Sequence, residues 1–136
     1  MYQEIILFLE QNHILTLALQ NGKSTHCASV FYAYAKINDC HFLIFKSNSK
    51  SLHSKLLKEQ KNCSVSIHNN ETNVLKIQGA QIRADLAPPA KNIKEAYYQK
   101  YPFARVVSGQ IYALNIISLK YTNNALRKKL FFNKTF

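Results

Sequence analysis

The sequence predicts an α+β fold: a small antiparallel barrel of five to six strands or more. One helix is inserted after the third strand and another precedes the last. Three observations carry this expectation. Short runs of alternating apolar and polar residues recur through the first half of the chain and are joined by tight polar turns. The run 73–86 changes the parity of its apolar positions around Gly79, where a bulge or barrel corner would reset which face points inward. Two stretches with helical spacing, 50–60 and 90–100, interrupt the strands.

Residues 2–11 open the chain as a short helix, with Ile5, Ile6 and Leu9 on one side. Residues 13–20 (HILTLALQ) alternate, Leu15, Leu17 and Leu19 against Ile14, Thr16, Ala18 and Gln20. Asn21-Gly22 follows, a dipeptide that tolerates the positive φ of a tight hairpin, and 24–35 returns as the second strand. Asn38-Asp39 turns the chain into an apolar third strand, 41–45. The helix after it carries Leu52, Leu56 and Leu57 on one side. Strand 62–68 alternates Cys63, Val65 and Ile67 against Ser64, Ser66 and His68. Pro88-Pro89 ends the run 73–86 and starts the helix 90–100, which stops before Pro102. Residues 111–119 (IYALNIISL) are the last strand, and Phe131, Phe132 and Phe136 mark a tail that packs on something, a second subunit being one choice.

The chain of 136 residues is read as one domain, 1–136, with enough apolar sequence (47%) for a packed core. No apolar run reaches the roughly 20 residues of a membrane helix. Residues 2–10 hold two acids and no base, unlike a signal peptide, so a cytoplasmic protein is expected. The net charge of +11 attracts nucleic acid, anionic lipid or phosphorylated ligands. The lysines are dispersed, however, and the only arginines are Arg83, Arg105 and Arg127. Three glycines exclude a Gly-rich phosphate loop. Cys27, Cys40 and Cys63 form no Cys-x-x-Cys pair, and no two histidines stand three or four residues apart. A disulfide framework and a metal centre are therefore not expected.

The stretch CHFLIFKSNSKSLHSKLL holds the main functional signal. A strand runs into Lys46-Ser47-Asn48-Ser49, and the helix beyond opens with Lys50 and Ser51, its first acid being Glu59. Helix starts are positive and usually carry acids, so a lysine there suits an external anion. Backbone N–H groups, serine hydroxyls and lysines are what a phosphate monoester needs. A solvated Ser/Lys turn is the alternative reading.

The order of elements, with HILTLAL, CASVFYAY, FLIFKSNSKSLHSKL, VLKIQGAQI, YPFARVVSGQIYALNI and LKYTNN, resembles the FMN-binding split β-barrel superfamily named after pyridoxamine 5′-phosphate oxidase. Within it the chain is most similar to the YhbP-like bacterial proteins. The resemblance implies a homodimer with FMN in clefts at the subunit interface. It implies that Ala28, Ser29, Val30 and Phe31 line the flavin ring edge with backbone groups. Lys46, Ser47, Ser49, Lys50, Ser51 and His53 would hold the ribityl chain and phosphate, and Gln78 would approach the ring. Tyr101 and Arg105 are similar in place to the oxidase's substrate-phosphate element, although the spacing to Ser108 is one residue short. The basic C-terminal element of the oxidase has no counterpart in LRKKLFFNKTF, and Ala125-Leu126-Arg127-Lys128 replaces a glycine-containing segment of YhbP-like relatives. These departures argue against a vitamin B6 substrate and against the family's local backbone path at the flavin.

Ser29 and Tyr32 also read as ordinary strand residues, Gln78 as a cross-strand partner and His53 as a solvated surface histidine. Three functional readings follow: an FMN-dependent oxidoreductase of unknown substrate, or at least an FMN-binding protein; a basic barrel gripping single-stranded nucleic acid through Phe31, Tyr32, Tyr34 and lysines; and a haem-binding split barrel using His13 or His26. No Ser/His/Asp or paired-carboxylate set is visible, and flavin chemistry needs none.

Overall fold

The hairpin at Gly22 starts the barrel. In the computed structural model, which describes residues 1–134, β1 (Ile14–Asn21) and β2 (Ser24–Ile37) pair from Asn21↔Ser24 outward. Gly22 is the first loop residue, at φ +61, a conformation that glycine adopts without a Cβ penalty. The leucines 15, 17 and 19 point inward and are buried. Their burial stabilises the fold by roughly 2 kcal/mol per side chain.

The remaining elements are α1 (Gln3–Gln11), β3 (Cys40–Ser47), α2 (Leu52–Gln60), β4 (Asn62–His68), β5 (Gln78–Ala87), α3 (Lys91–Lys100), β6 (Gln110–Asn123) and β7 (Lys128–Asn133). Two 3-10 turns, Val74–Lys76 and Pro102–Val106, precede β5 and β6. The strand order is β3-β2-β1-β4-β5-β6-β7, all antiparallel, and an additional β3–β6 pairing closes the first six strands into a barrel. β6 is long enough to serve two partners on one edge. Its first half pairs with β3 (Phe42↔Asn115) and its second with β7 (Leu119↔Phe132).

Tyr32, Leu43, Phe45, Val65, Ile67, Ile82 and Leu114 fill the barrel with the β1 leucines, and Ile5, Phe8 and Leu9 of α1 and Leu56 and Leu57 of α2 pack into the same cluster. Outside it, α3 lays Ile93 and Tyr97 on Ala33, Phe42, Ile44, Ile111 and Ala113. That second layer explains the unbroken run His41-Phe42-Leu43-Ile44-Phe45: β3 is covered on both faces, and all five residues are buried.

Several expectations change. Residues 73–77 are not strand; Leu75 and Ile77 are exposed on a turn and its flank. The parity change around Gly79 was thus the end of a turn. Gly79 pairs regularly with His68 and Thr122, and the register shift lies at Arg83/Ala84. Helix α2 begins at Leu52, which is exposed, and Ser54 takes the buried place beside Leu56 and Leu57. In α1, Phe8 is buried where Ile6 was expected. The tail forms β7, with Phe132 packed on the barrel core and Phe131 exposed. The expectation for Phe136 lies outside the described residues. Among the described residues no helix is long and apolar enough to cross a membrane.

Candidate functional site at the split between β2 and β3

The pairing of β2 with β3 covers residues 32–37 of β2 and ends at Tyr32↔Phe45. Residues 24–31 of β2 pair with β1 alone. One edge of Ala28, Ser29, Val30 and Phe31 therefore has no strand partner. The Tyr32 N–H donates to His13 O on the β1 side at 2.8 Å. By strand alternation, Ser29 turns its own peptide groups to the open edge. The Ser29 side chain instead meets Thr16 on the outer face, Oγ to Oγ1 at 2.9 Å.

Across this split stands the start of α2. The first turn holds no acid, and no side chain caps its N–H groups. Asn48 organises the turn: its carbonyl accepts from Ser51 N–H (3.1 Å), Ser51 Oγ (2.7 Å) and Ser54 Oγ (2.8 Å), and its Oδ1 accepts from Lys50 N–H (2.9 Å). Ser47 Oγ lies 2.6 Å from His53 Nε2, and Ser51 Oγ lies 3.3 Å from the same nitrogen. Desolvation by burial lowers the His53 pKa below its ordinary value, and the neighbouring His26 of β2 lowers it further. Both causes disfavour the imidazolium form of His53. Ser49 is half-buried on the turn and Lys50 is exposed.

Gly109 lets the next segment close over this turn. Its φ is +145, and a Cβ there would stand 3.2 Å from Ser47 O and 3.3 Å from Lys46 Cγ. Lys46 points away from the α2 start: its Nζ donates to Tyr98 Oη (2.8 Å) and Ala104 O (2.8 Å), tying β3 to α3 and the second 3-10 turn. Arg105 lies over the same Tyr98 ring, 4.6 Å from its centroid. Tyr101 donates its phenol to Tyr32 O and sets its ring edge to Phe31, centroids 6.3 Å apart. Burial pushes its pKa to about 12. Thus Phe31, Tyr101, Lys46 and Arg105 border one region on the α3 side, with the Ser47–Ser51–His53 cluster at the α2 side.

Gln78 is not brought into that group within one chain. Its Oε1 accepts from Tyr121 Oη at 2.8 Å, and β5 stands on the wall of the closed six-stranded barrel opposite β2. His13 is exposed on the far side of Tyr32 from β3. No group of three or more His, Cys, Asp or Glu that could hold a metal exists among the described residues.

Sequence reasoning passed over Asn48, Ser54 and Gly109, which shape the turn without resembling ligands. It also passed over the outer face of the barrel. Two adjoining grooves of ≈ 680 and ≈ 590 Å³ share Ala18, Ser64, Arg83, Ser118 and Asn133 there. The polar alternation of β4 was the available signal, and it reads equally as a solvated face.

The donor set at the start of α2 fits a phosphate: the open N–H groups of the first helical turn, the Ser47 hydroxyl, the Lys50 ammonium, and the Ser51 hydroxyl once it turns from Asn48 O. Lys46 does not fit that role, because its ammonium is held by Tyr98 and Ala104.

No family model matches the chain. A UPF0306 protein of Campylobacter jejuni is 33% identical, covering 98% of this chain and 99% of the relative. A UPF0306 protein of Yersinia pseudotuberculosis is 30% identical over 88% of this chain and 82% of the relative. Solved structures that share the fold include the following three. A haem-binding protein from Mycobacterium smegmatis matches with TM-score 0.72 at 12% identity, over 93% of this chain and 55% of that one. A FAD-binding protein from Mesorhizobium loti matches at 0.67 and 12%, over 88% and 91%. A Listeria innocua protein named after pyridoxamine 5′-phosphate oxidase matches at 0.62 and 13%, over 96% and 97%. At such identities these structures establish the fold alone.

Proposed function

The chain belongs to the UPF0306 family and has the split-barrel fold of the pyridoxamine 5′-phosphate oxidase superfamily, and from that premise we propose that it is an FMN-binding flavoprotein, an oxidoreductase in class. One observation carries the reading. β2 and β3 splay apart at Tyr32/Phe45, so that the open backbone edge of Ala28–Phe31 faces an acid-free helix start ringed by Ser47, Lys50, Ser51 and His53. A ring edge with donors and acceptors suits the first, and a phosphate suits the second.

Bound FMN would supply hydride acceptance, and the protein's share is to position and tune it. Lys50 and the α2 amides hold the phosphate dianion. Ser47 and Ser51 orient on it, and Phe31 with Tyr101 walls one side. A homodimer belongs to the same proposal. Gln78 is too distant to reach the ring from the same chain, and the apolar Phe31 and Ile14, 59% and 52% exposed, lie beside the split where a second copy would cover them. Pyridoxamine phosphate is not the substrate proposed, because Lys46 is held by Tyr98 Oη and Ala104 O and Arg105 stacks on the same Tyr98 ring.

The purified protein is expected to be yellow, with the near-UV and blue bands of oxidised flavin, or to gain them on adding FMN. A protein that stays colourless after FMN addition contradicts the proposal. A Soret band in place of flavin bands selects the haem reading that the mycobacterial neighbour suggests.

A further inference from the structure

At the barrel end closed by α2, a cavity of ≈ 380 Å³ opens between the last turn of that helix, the end of β5 with Pro88-Pro89, and the start of β6. It lies at the opposite end of β5 from Gln78, and β3 stands between β6 and the open edge of β2. None of the residues assigned above to the flavin or to the second copy lines it.

The walls are apolar, and their backbone groups are already bonded. Pro88 and Pro89 bring no N–H, and Pro88 O accepts from Ala90 N–H at 2.9 Å. Leu86 N–H donates to Lys61 O at 2.7 Å. The Tyr112 ring is held by stacking on Phe45, centroids 5.3 Å apart. A flat apolar group can therefore enter without stranding these donors.

The charged groups at the cavity are Lys58 and Lys61, both exposed and in no ion pair among the described residues. The acids near them in the chain, Glu59 and Asp85, do not line it, and Asp85 belongs to the groove on the outer face. Lys58 Nζ lies 5.9 Å from the Tyr112 centroid and donates to Gln110 Oε1 at 3.4 Å, and Tyr112 Oη donates to the same oxygen at 3.4 Å. Both bonds are at the long limit. An ammonium held so loosely by a neutral amide gains a shorter, stronger bond by taking a carboxylate instead.

We propose that this cavity binds a small aromatic carboxylate, with its ring between Pro88-Pro89 and Tyr112 and its carboxylate on Lys58. Lys61 adds a second positive charge. The volume is at the small end of the range for organic ligands, which suits a single ring rather than a nucleotide. The site is separate from the split between β2 and β3 and does not depend on flavin binding.

Titration of the isotope-labelled full chain with benzoate, followed by amide NMR shifts, tests it. Benzamide (the ring without the charge) and acetate (the charge without the ring) serve as comparisons. Saturable shifts are expected with benzoate at Lys61, Leu86, Ala87, Ile111 and Tyr112, with both comparison compounds about ten-fold weaker. Lys58→Met should weaken benzoate about ten-fold and Lys61→Met about three-fold. Both lysines are exposed, so the thermal midpoint serves as the folding control. Absence of saturation at millimolar benzoate overturns the proposal, as does equal binding of benzamide or binding unchanged in Lys58→Met. Shifts confined to residues 47–53 also overturn it, and assign the anion to the start of α2 instead.

Discussion

At the scale of residues, two glycines with positive φ separate stability from site geometry. Gly22 has no atom within 4 Å of a built Cβ, so Gly22→Ala should cost only the left-handed strain, about 1 kcal/mol, and leave ligand binding intact. Gly109→Ala adds contacts with Ser47 O and Lys46 Cγ. It should cost about 2 kcal/mol and also displace the turn that carries Ser47, weakening flavin retention. Urea unfolding together with flavin titration distinguishes the two, and equal flavin affinity in both variants would remove Gly109 from the site's support. The histidines give a pH dependence with a defined sign. His41, buried against Tyr34 and Phe132, and His53 both have pKa values lowered first by desolvation. The unfolded chain protonates them near 6.5, before the folded chain does, so it binds more protons in the window just below that value. Stability is full above this window and falls as pH drops through it. Thermal midpoints from about pH 8 down to about pH 5 should decline, and His53→Asn should flatten the decline in part.

At the scale of elements, Lys46 is the joint between β3 and α3. Lys46→Met keeps the length of the stem and removes two hydrogen bonds, leaving Ala104 O without that donor. The expected cost is about 1–2 kcal/mol, read in urea unfolding, with α3 loosened and the phosphate pocket intact. A large loss of FMN affinity in this variant would return Lys46 to the phosphate, where sequence reading had put it. That reading recognised the elements whose patterns are local. The β1–β2 hairpin announces itself in alternating leucines and Asn-Gly, and β4 in strict alternation. β3 reads as buried because both of its faces are covered. β7 was missed because LRKKLFFN mixes charges with phenylalanines and becomes a strand only when β6 leaves its edge open beyond Asn115. The Gly79 argument drew the right conclusion, curvature, from the wrong place, because Leu75 and Ile77 are exposed on a loop and their parity carries no information about a face. The cradle was legible as a set of donors. The bonding by Asn48 is local, to Lys50, Ser51 and Ser54, but a polar turn of this kind reads equally as solvated. The turning away of Lys46 depends on Tyr98 and Ala104, more than fifty positions distant, and no local pattern reports it.

At the scale of the molecule, the barrel is split where β3 leaves β2, and that split gives the fold its candidate site. Its two sides come from separate stretches, the open edge of β2 and the start of α2, with α3 forming a third wall through Tyr101. The central claim is that the α2 start binds a phosphate and thereby FMN. Titration of the protein with FMN and, separately, with riboflavin, followed by flavin fluorescence, tests it most directly. The account predicts saturable quenching by FMN, with riboflavin and the Lys50→Ala/Ser51→Ala variant at least ten-fold weaker, because each lacks one side of the charge-assisted contact. Equal binding of FMN and riboflavin, or FMN binding unchanged in the variant, would contradict it.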